Sequence, residues 1–236
     1  MQIFNALSRG LLAAAVLGAG LFVATPQAEA GPVQVRDGNG GDVFNGGPGS
    51  QNLSIVVSGG SLNVAAGAFA LQYRVDPGQT WIDFLTYCLE PDETLGISGS
   101  TPVSGTLQNL LADTGEYATT AIRLGRLYQT HFADSLTSSL RSAAFQVAVW
   151  ELATDGASNL SAGNFRLSTT GSVATQAAAY LNAAQWVSAS DVGVILRVGN
   201  QDLMVAVPEP ASLALFGVGL AGLLAAKRRR RGAMPG

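Results

Sequence analysis

The chain is almost without lysine, cysteine and histidine: each occurs once in 236 residues, and only 12% of residues are charged. A single cysteine, Cys88, excludes an intrachain disulfide. One histidine, His131, and one cysteine do not make a His/Cys metal set. The sole lysine, Lys227, lies in a basic cluster near the C-terminus, so the rest of the chain has no lysine for a Lys–Asn isopeptide crosslink. Between residues 31 and 207 seven Arg face 14 Asp and Glu, a formal charge of −7. An acidic surface without clustered basic residues argues against nucleic acid as a partner.

Long apolar runs, by contrast, close both ends. Arg9 precedes an uncharged stretch from Leu11 to Ala24, followed by Ala28-Glu29-Ala30. A basic start, an apolar middle and a small-x-small site are the parts of a secretory signal peptide, here residues 1–30, with signal peptidase cutting after Ala30. An uncleaved anchor is the competing reading, but the run is short for one. At the other end residues 211–226 carry no charge and are closed by Lys227 and Arg228 to Arg231. As a helix rising about 1.5 Å per residue this segment reaches about 24 Å, close to a transmembrane span, with its basic end left on the cytoplasmic side. Inside it, Gly217, Gly219 and Gly222 spell GxGxxG. A dinucleotide-binding turn has to follow a strand and open a βαβ unit. Here the chain ends soon afterwards, so no cofactor is implied.

Val207-Pro208-Glu209-Pro210, a short apolar helix and a terminal arginine cluster together resemble the PEP-CTERM sorting signal of Gram-negative bacteria. For residues 207–236 the resemblance implies recognition by an exosortase, after an inner-membrane intermediate, and delivery to the cell surface or to an exopolysaccharide or biofilm matrix. It is an address, and says nothing of the domain between the two signals. The prolines break any helix there and mark an extended stretch open to a protease.

Residues 31–50 are glycine-rich and read as a loose lead-in. Asp37, Asn39 and Asp42 have the look of calcium ligands but lack the later glutamate of an EF-hand loop, so a flexible linker is the simpler reading. Residues 51–206 read as one domain. Short β-branched and aromatic runs, Leu53 to Gly59, Ser61 to Gly67 and Ala68 to Val75, precede a strand from Trp81 that Pro91 ends. Tyr117, Ala121, Leu124, Tyr128 and Phe132 recur on one helical face. A second helix, Leu136 to Leu152, is apolar nearly all round in its last turns and should be deeply buried. A third spans about Ser172 to Val187. Val192 to Leu196 and Leu203 to Val207 return to strand. The expected class is α+β, a small antiparallel sheet or barrel followed by three helices packed on it.

Two residues stand out chemically. Cys88 is a lone thiol in an exported chain, and Gln146 is a carboxamide among Phe145, Val147, Val149 and Trp150. A buried amide left unpaired costs about 1–3 kcal/mol, so Gln146 needs a partner. Were the two side chains to meet, the sulfur could attack the Gln carbonyl, expel ammonia and leave an internal thioester. Tyr87-Cys88-Leu89-Glu90 and Phe145-Gln146-Val147-Ala148-Val149-Trp150-Glu151 resemble the two motifs of the thioester domain of bacterial surface proteins. The resemblance implies Cys88 as the sulfur and Gln146 as the acyl donor, with Tyr87, Phe145 and Trp150 shielding the bond. It also implies capture of an amine or hydroxyl nucleophile on a neighbouring protein or polysaccharide. A lysine-free domain has no ε-amine to quench such a bond itself, although arginine-favouring composition would give the same count.

Other readings remain. The alternative to the thioester makes Cys88 and Gln146 plain core residues of a non-covalent structural or polysaccharide-binding matrix protein. Cys88 with His131 as base would make a hydrolase, but no local signature of such a family surrounds either, and the chain is not expected to be an enzyme. Glu90, Asp92 and Glu93 read as a solvated turn. Trp81, Trp150 and Trp186 suit core packing at least as well as a carbohydrate platform.

Overall fold

The structure is a computed structural model. It describes residues 31–113, 115–182, 186–189 and 192–206. The signal-peptide region, the Pro208-Glu209-Pro210 motif and the apolar 211–226 segment lie outside the described residues. The strands are β1 (Gly31–Arg36), β2 (Ser50–Val57), β3 (Gly60–Gly67), β4 (Phe69–Arg74), β5 (Ile82–Cys88), β6 (Val103–Asn109), β7 (Phe165–Leu167), β8 (Val192–Leu196) and β9 (Leu203–Ala206). The helices are α1 (Ala121–Ser135), α2 (Ser139–Asp155) and α3 (Ser172–Tyr180).

Six strands close into an antiparallel barrel in the order β1-β4-β5-β9-β8-β6. The other three form a small sheet, β3-β2-β7. The class is α+β, as the hydrophobic patterning predicts. α2 joins the parts, packing against α1, α3, the small sheet and β5. Every residue from Ser142 to Leu152 is buried, so this helix has no solvent face along its middle. Its ends are fixed locally. Ser138 accepts the Arg141 N–H at the N-cap, and Gly156 takes the left-handed conformation (φ 59°) that closes the C-terminus. Among the described residues no helix is long and apolar enough to cross a membrane.

The structure corrects three expectations. Residues 31–50 are not a loose lead-in. Val33 and Val35 point into the core from β1, which pairs with both β4 and β6. The glycines that suggest a linker form the turn after that strand. Asp37 is 1% exposed there, with its carboxylate spent on the N–H groups of Asn39 and Gly41, and Asn39 ties the loop to the Ala70 carbonyl at 3.1 Å. Tyr117 precedes α1 instead of opening it. Finally, α3 stops at Tyr180, where the Leu181 and Asn182 N–H groups turn back on the Ala177 and Ala179 carbonyls. Trp186, expected within that helix, instead donates its ring N–H to the Tyr180 carbonyl at 2.8 Å.

Candidate functional site

Strand lengths create the site. β4 begins at Phe69, which lies opposite Thr86, so β5 runs past the end of its neighbour by two residues. On its other side β5 continues to pair with β9, and Leu89 N–H reaches the Asp202 carbonyl at 3.0 Å. Peptide groups alternate between the two sides of a strand, so those of Cys88 face the place β4 has vacated. Such buried groups need partners. Gln146 supplies both. Cys88 N–H donates to Gln146 Oε1 at 3.2 Å, and Gln146 Nε2 donates to the Cys88 carbonyl at 2.7 Å. The carboxamide thus stands in for one rung of a β-ladder, and the two bonds fix which way round it lies.

The sulfur has its own contact. Trp150, one turn on from Gln146, donates its indole N–H to Cys88 Sγ at 3.3 Å. Cys88 and Gln146 are each 1% exposed and Trp150 is 2%. Burial pushes the thiol up to about 12; the Trp150 hydrogen bond opposes that shift and the nearby Glu90 charge adds to it. Water is thus excluded from a thiol, an acyl group and two N–H donors. Cys88 N–H is placed to polarise the Gln146 carbonyl and to stabilise an oxyanion on it. The Trp150 N–H is placed to stabilise charge on sulfur.

Tyr87 and Phe145, expected as shields beside Trp150, lie ring against ring at 4.7 Å and contribute to an aromatic cluster with Phe132 and Tyr128. Of these three aromatics it is Trp150 that holds the sulfur. The Tyr87 hydroxyl donates to Ser135 Oγ at 2.7 Å and lies 3.1 Å from Ser142 Oγ. Ser142 also accepts the Ala68 N–H at 2.8 Å, fastening α2 to the chain just before β4. Sequence reading missed Ser142, whose hydroxyl carries no pattern of its own.

Beyond Cys88 the turn is only partly solvated. Asp92 and Glu93 are exposed, as expected, but Glu90 is drawn inward. Tyr117 donates to it, and Asp202 N–H reaches its other oxygen at 2.6 Å. Burial raises the Glu90 carboxyl to about 7, opposed by those hydrogen bonds. Carboxylate oxygens of Glu90, Glu116 and Asp202 come within 4.8 Å of one another, the hard-oxygen chemistry that calcium favours. Positions so far apart in sequence offer no spacing signal. In the same cleft, of about 340 Å³, the Tyr117 hydroxyl lies against Glu90 and Asp202, and the Arg197 backbone N–H donates to Asp202 while its guanidinium is spent on the Leu95 and Gln201 carbonyls. His131 is elsewhere. Its ring packs 4.7 Å from Tyr180, and burial lowers its pKa. The guanidinium groups of Arg36 and Arg74 each lie over the Trp81 ring, 4.2 and 4.4 Å from its centre, a packing and cation–π arrangement on the barrel wall.

Residues 206–231 match the family model of the PEP-CTERM protein-sorting motif. Such signals mark proteins exported to the envelope or surface of Gram-negative bacteria, and the motif implies sorting by an exosortase. The match covers the tail, not the α+β domain. No curated protein and no solved structure matches the chain.

Proposed function

We propose that this exported protein carries an internal thioester between Cys88 and Gln146, by which it attaches covalently to an amine or hydroxyl on a neighbouring polysaccharide or protein. The observation supporting the reading is the carboxamide of Gln146 held on the backbone of Cys88, with the cysteine sulfur on the Trp150 N–H beside it. In the forming reaction the sulfur bonds to the Gln146 side-chain carbonyl carbon. The C–N bond breaks, and the nitrogen leaves as ammonia with the thiol proton. Capture reverses the logic: an amine takes the acyl group and Cys88 recovers its proton. The protein reacts once instead of turning over, and the dry surroundings protect the bond from hydrolysis until the structure opens around it. The absence of lysine from residues 31–206 leaves no internal ε-amine to spend it.

A second reading has an observation of its own. Gln146 satisfies both peptide groups of Cys88, a structural task that requires no bond. On that reading the domain is a non-covalent matrix or polysaccharide-binding protein and the pair only packs. Methylamine separates the two. The thioester reading predicts an N-methyl amide on Gln146 together with a newly alkylatable Cys88, neither of them in Cys88→Ala. Unmodified Gln146 after treatment under mildly unfolding conditions would sink it.

A further inference from the structure

Among the described residues the long strand β3 is an open edge of the small sheet. It joins β2 through Ser58 and Gly59, both left-handed (φ 48° and 86°), a two-residue turn that makes Val57 and Gly60 a hydrogen-bonded pair. Alternation from that pair sends the peptide groups of Leu62 and Val64 to β2, and those of Ser61, Asn63 and Ala65 outward. Among the described residues no backbone group pairs with those three. The side chains of Leu62 and Val64 lie opposite Ile55 and Leu53, on the face turned to α2, and Leu62 remains 38% exposed because no strand follows it.

Edge strands are usually blunted by charge, proline or a bulge. β3 has none of these, and its register with β2 runs unbroken from Gly60 to Gly67. The lack of charge extends well beyond it. Residues 43–73 contain no charged side chain, in a domain of net charge −7. Two acidic copies repel one another over most of their surface but not here.

We propose that two copies of this chain pair β3 with β3, antiparallel about a two-fold axis through Asn63. In that register Asn63 faces its own copy, Ser61 faces Ala65 and Leu62 faces Val64. Each outward N–H and C=O then finds a partner, and the half-covered apolar side chains meet on the α2 side. The contact is isologous and closes as a dimer, leaving β7 at both ends of a six-stranded sheet.

The test uses the full chain, exported by the bacterium that sorts it. Cα atoms in a hydrogen-bonded antiparallel pair lie about 5.5 Å apart, inside the range a disulfide spans. Asn63→Cys is therefore expected to give a disulfide-linked species of twice the mass of the processed chain on a non-reducing gel. Asn52→Cys, exposed on β2 one strand in from the edge, is expected to stay monomeric. Asn63→Asp keeps the acceptor for the Ser54 hydroxyl, 2.7 Å away, so the hairpin stays folded while like charges oppose each other across the axis. It should weaken the dimer seen in sedimentation equilibrium by ~tenfold or more. Failure of Asn63→Cys to crosslink above the Asn52→Cys level overturns the proposal. So does a crosslinked species of any other mass, or an Asn63→Asp protein that dimerises as the parent does. None of these readouts depends on the thioester.

Discussion

At Cys88 a side chain does the work of a strand. The Cys88 peptide groups find a buried partner because β4 is too short to cover the end of β5 and a glutamine from α2 fills the gap. Replacing Gln146 by Ala strands the Cys88 N–H and C=O inside the core. Each unpaired group should cost about 1–3 kcal/mol, read as a lower urea midpoint. A second consequence concerns Glu90. Burial raises its carboxyl from 4.5 to about 7 in the folded protein, so the folded state holds a proton that the unfolded chain has already released. Stability contributed there is present below pH 4.5 and is lost as the pH climbs to about 7. His131 acts in the opposite direction, since its lowered pKa penalises the fold as the pH falls below the unfolded value of 6.5. The two are separable: Glu90→Gln should flatten the decline in thermal midpoint between pH 4.5 and 7 and leave the acid limb due to His131 unchanged.

At the level of elements, termini decide the architecture. α2 is held in register by Ser138 at one end and Gly156 at the other. Gly156→Ala imposes a Cβ on a left-handed residue and brings it 3.3 Å from the Thr120 methyl, an expected loss of about 1–2 kcal/mol in chemical denaturation. In the β2–β3 turn the reverse applies. Ser58 sits at φ 48° where asparagine is better suited, so Ser58→Asn should raise the unfolding free energy by up to about 1 kcal/mol. These ends also mark how far the sequence can be read. The β2, β3, β4 and β5 strands and the buried helix α2 announce themselves by alternation and by apolar runs. β1 does not, because only six residues of strand precede a glycine-rich turn. β6 is equally quiet: Val103-Ser104-Gly105-Thr106 lacks the β-branched density of a core strand, and Gly105 is needed where a Cβ would come 2.6 Å from the Ile195 methyl. Cys88 and Gln146 were legible as partners because a lone thiol and a lone carboxamide in apolar surroundings each call for an explanation. The Glu90, Tyr117 and Asp202 cluster was not, since long-range pairing across the barrel mouth leaves no periodic trace.

Taken whole, the molecule is a barrel and a small sheet clasped by one buried helix, followed by a sorting tail. The tail accounts for delivery, while the chemistry proposed for the domain rests on a single bond. The most direct measurement is the intact mass of the exported protein, denatured without added nucleophile. The account predicts a mass one ammonia below that of the processed sequence, with the deficit absent from both Cys88→Ala and Gln146→Ala. The full sequence mass, with Cys88 alkylated as soon as the chain unfolds, would contradict it.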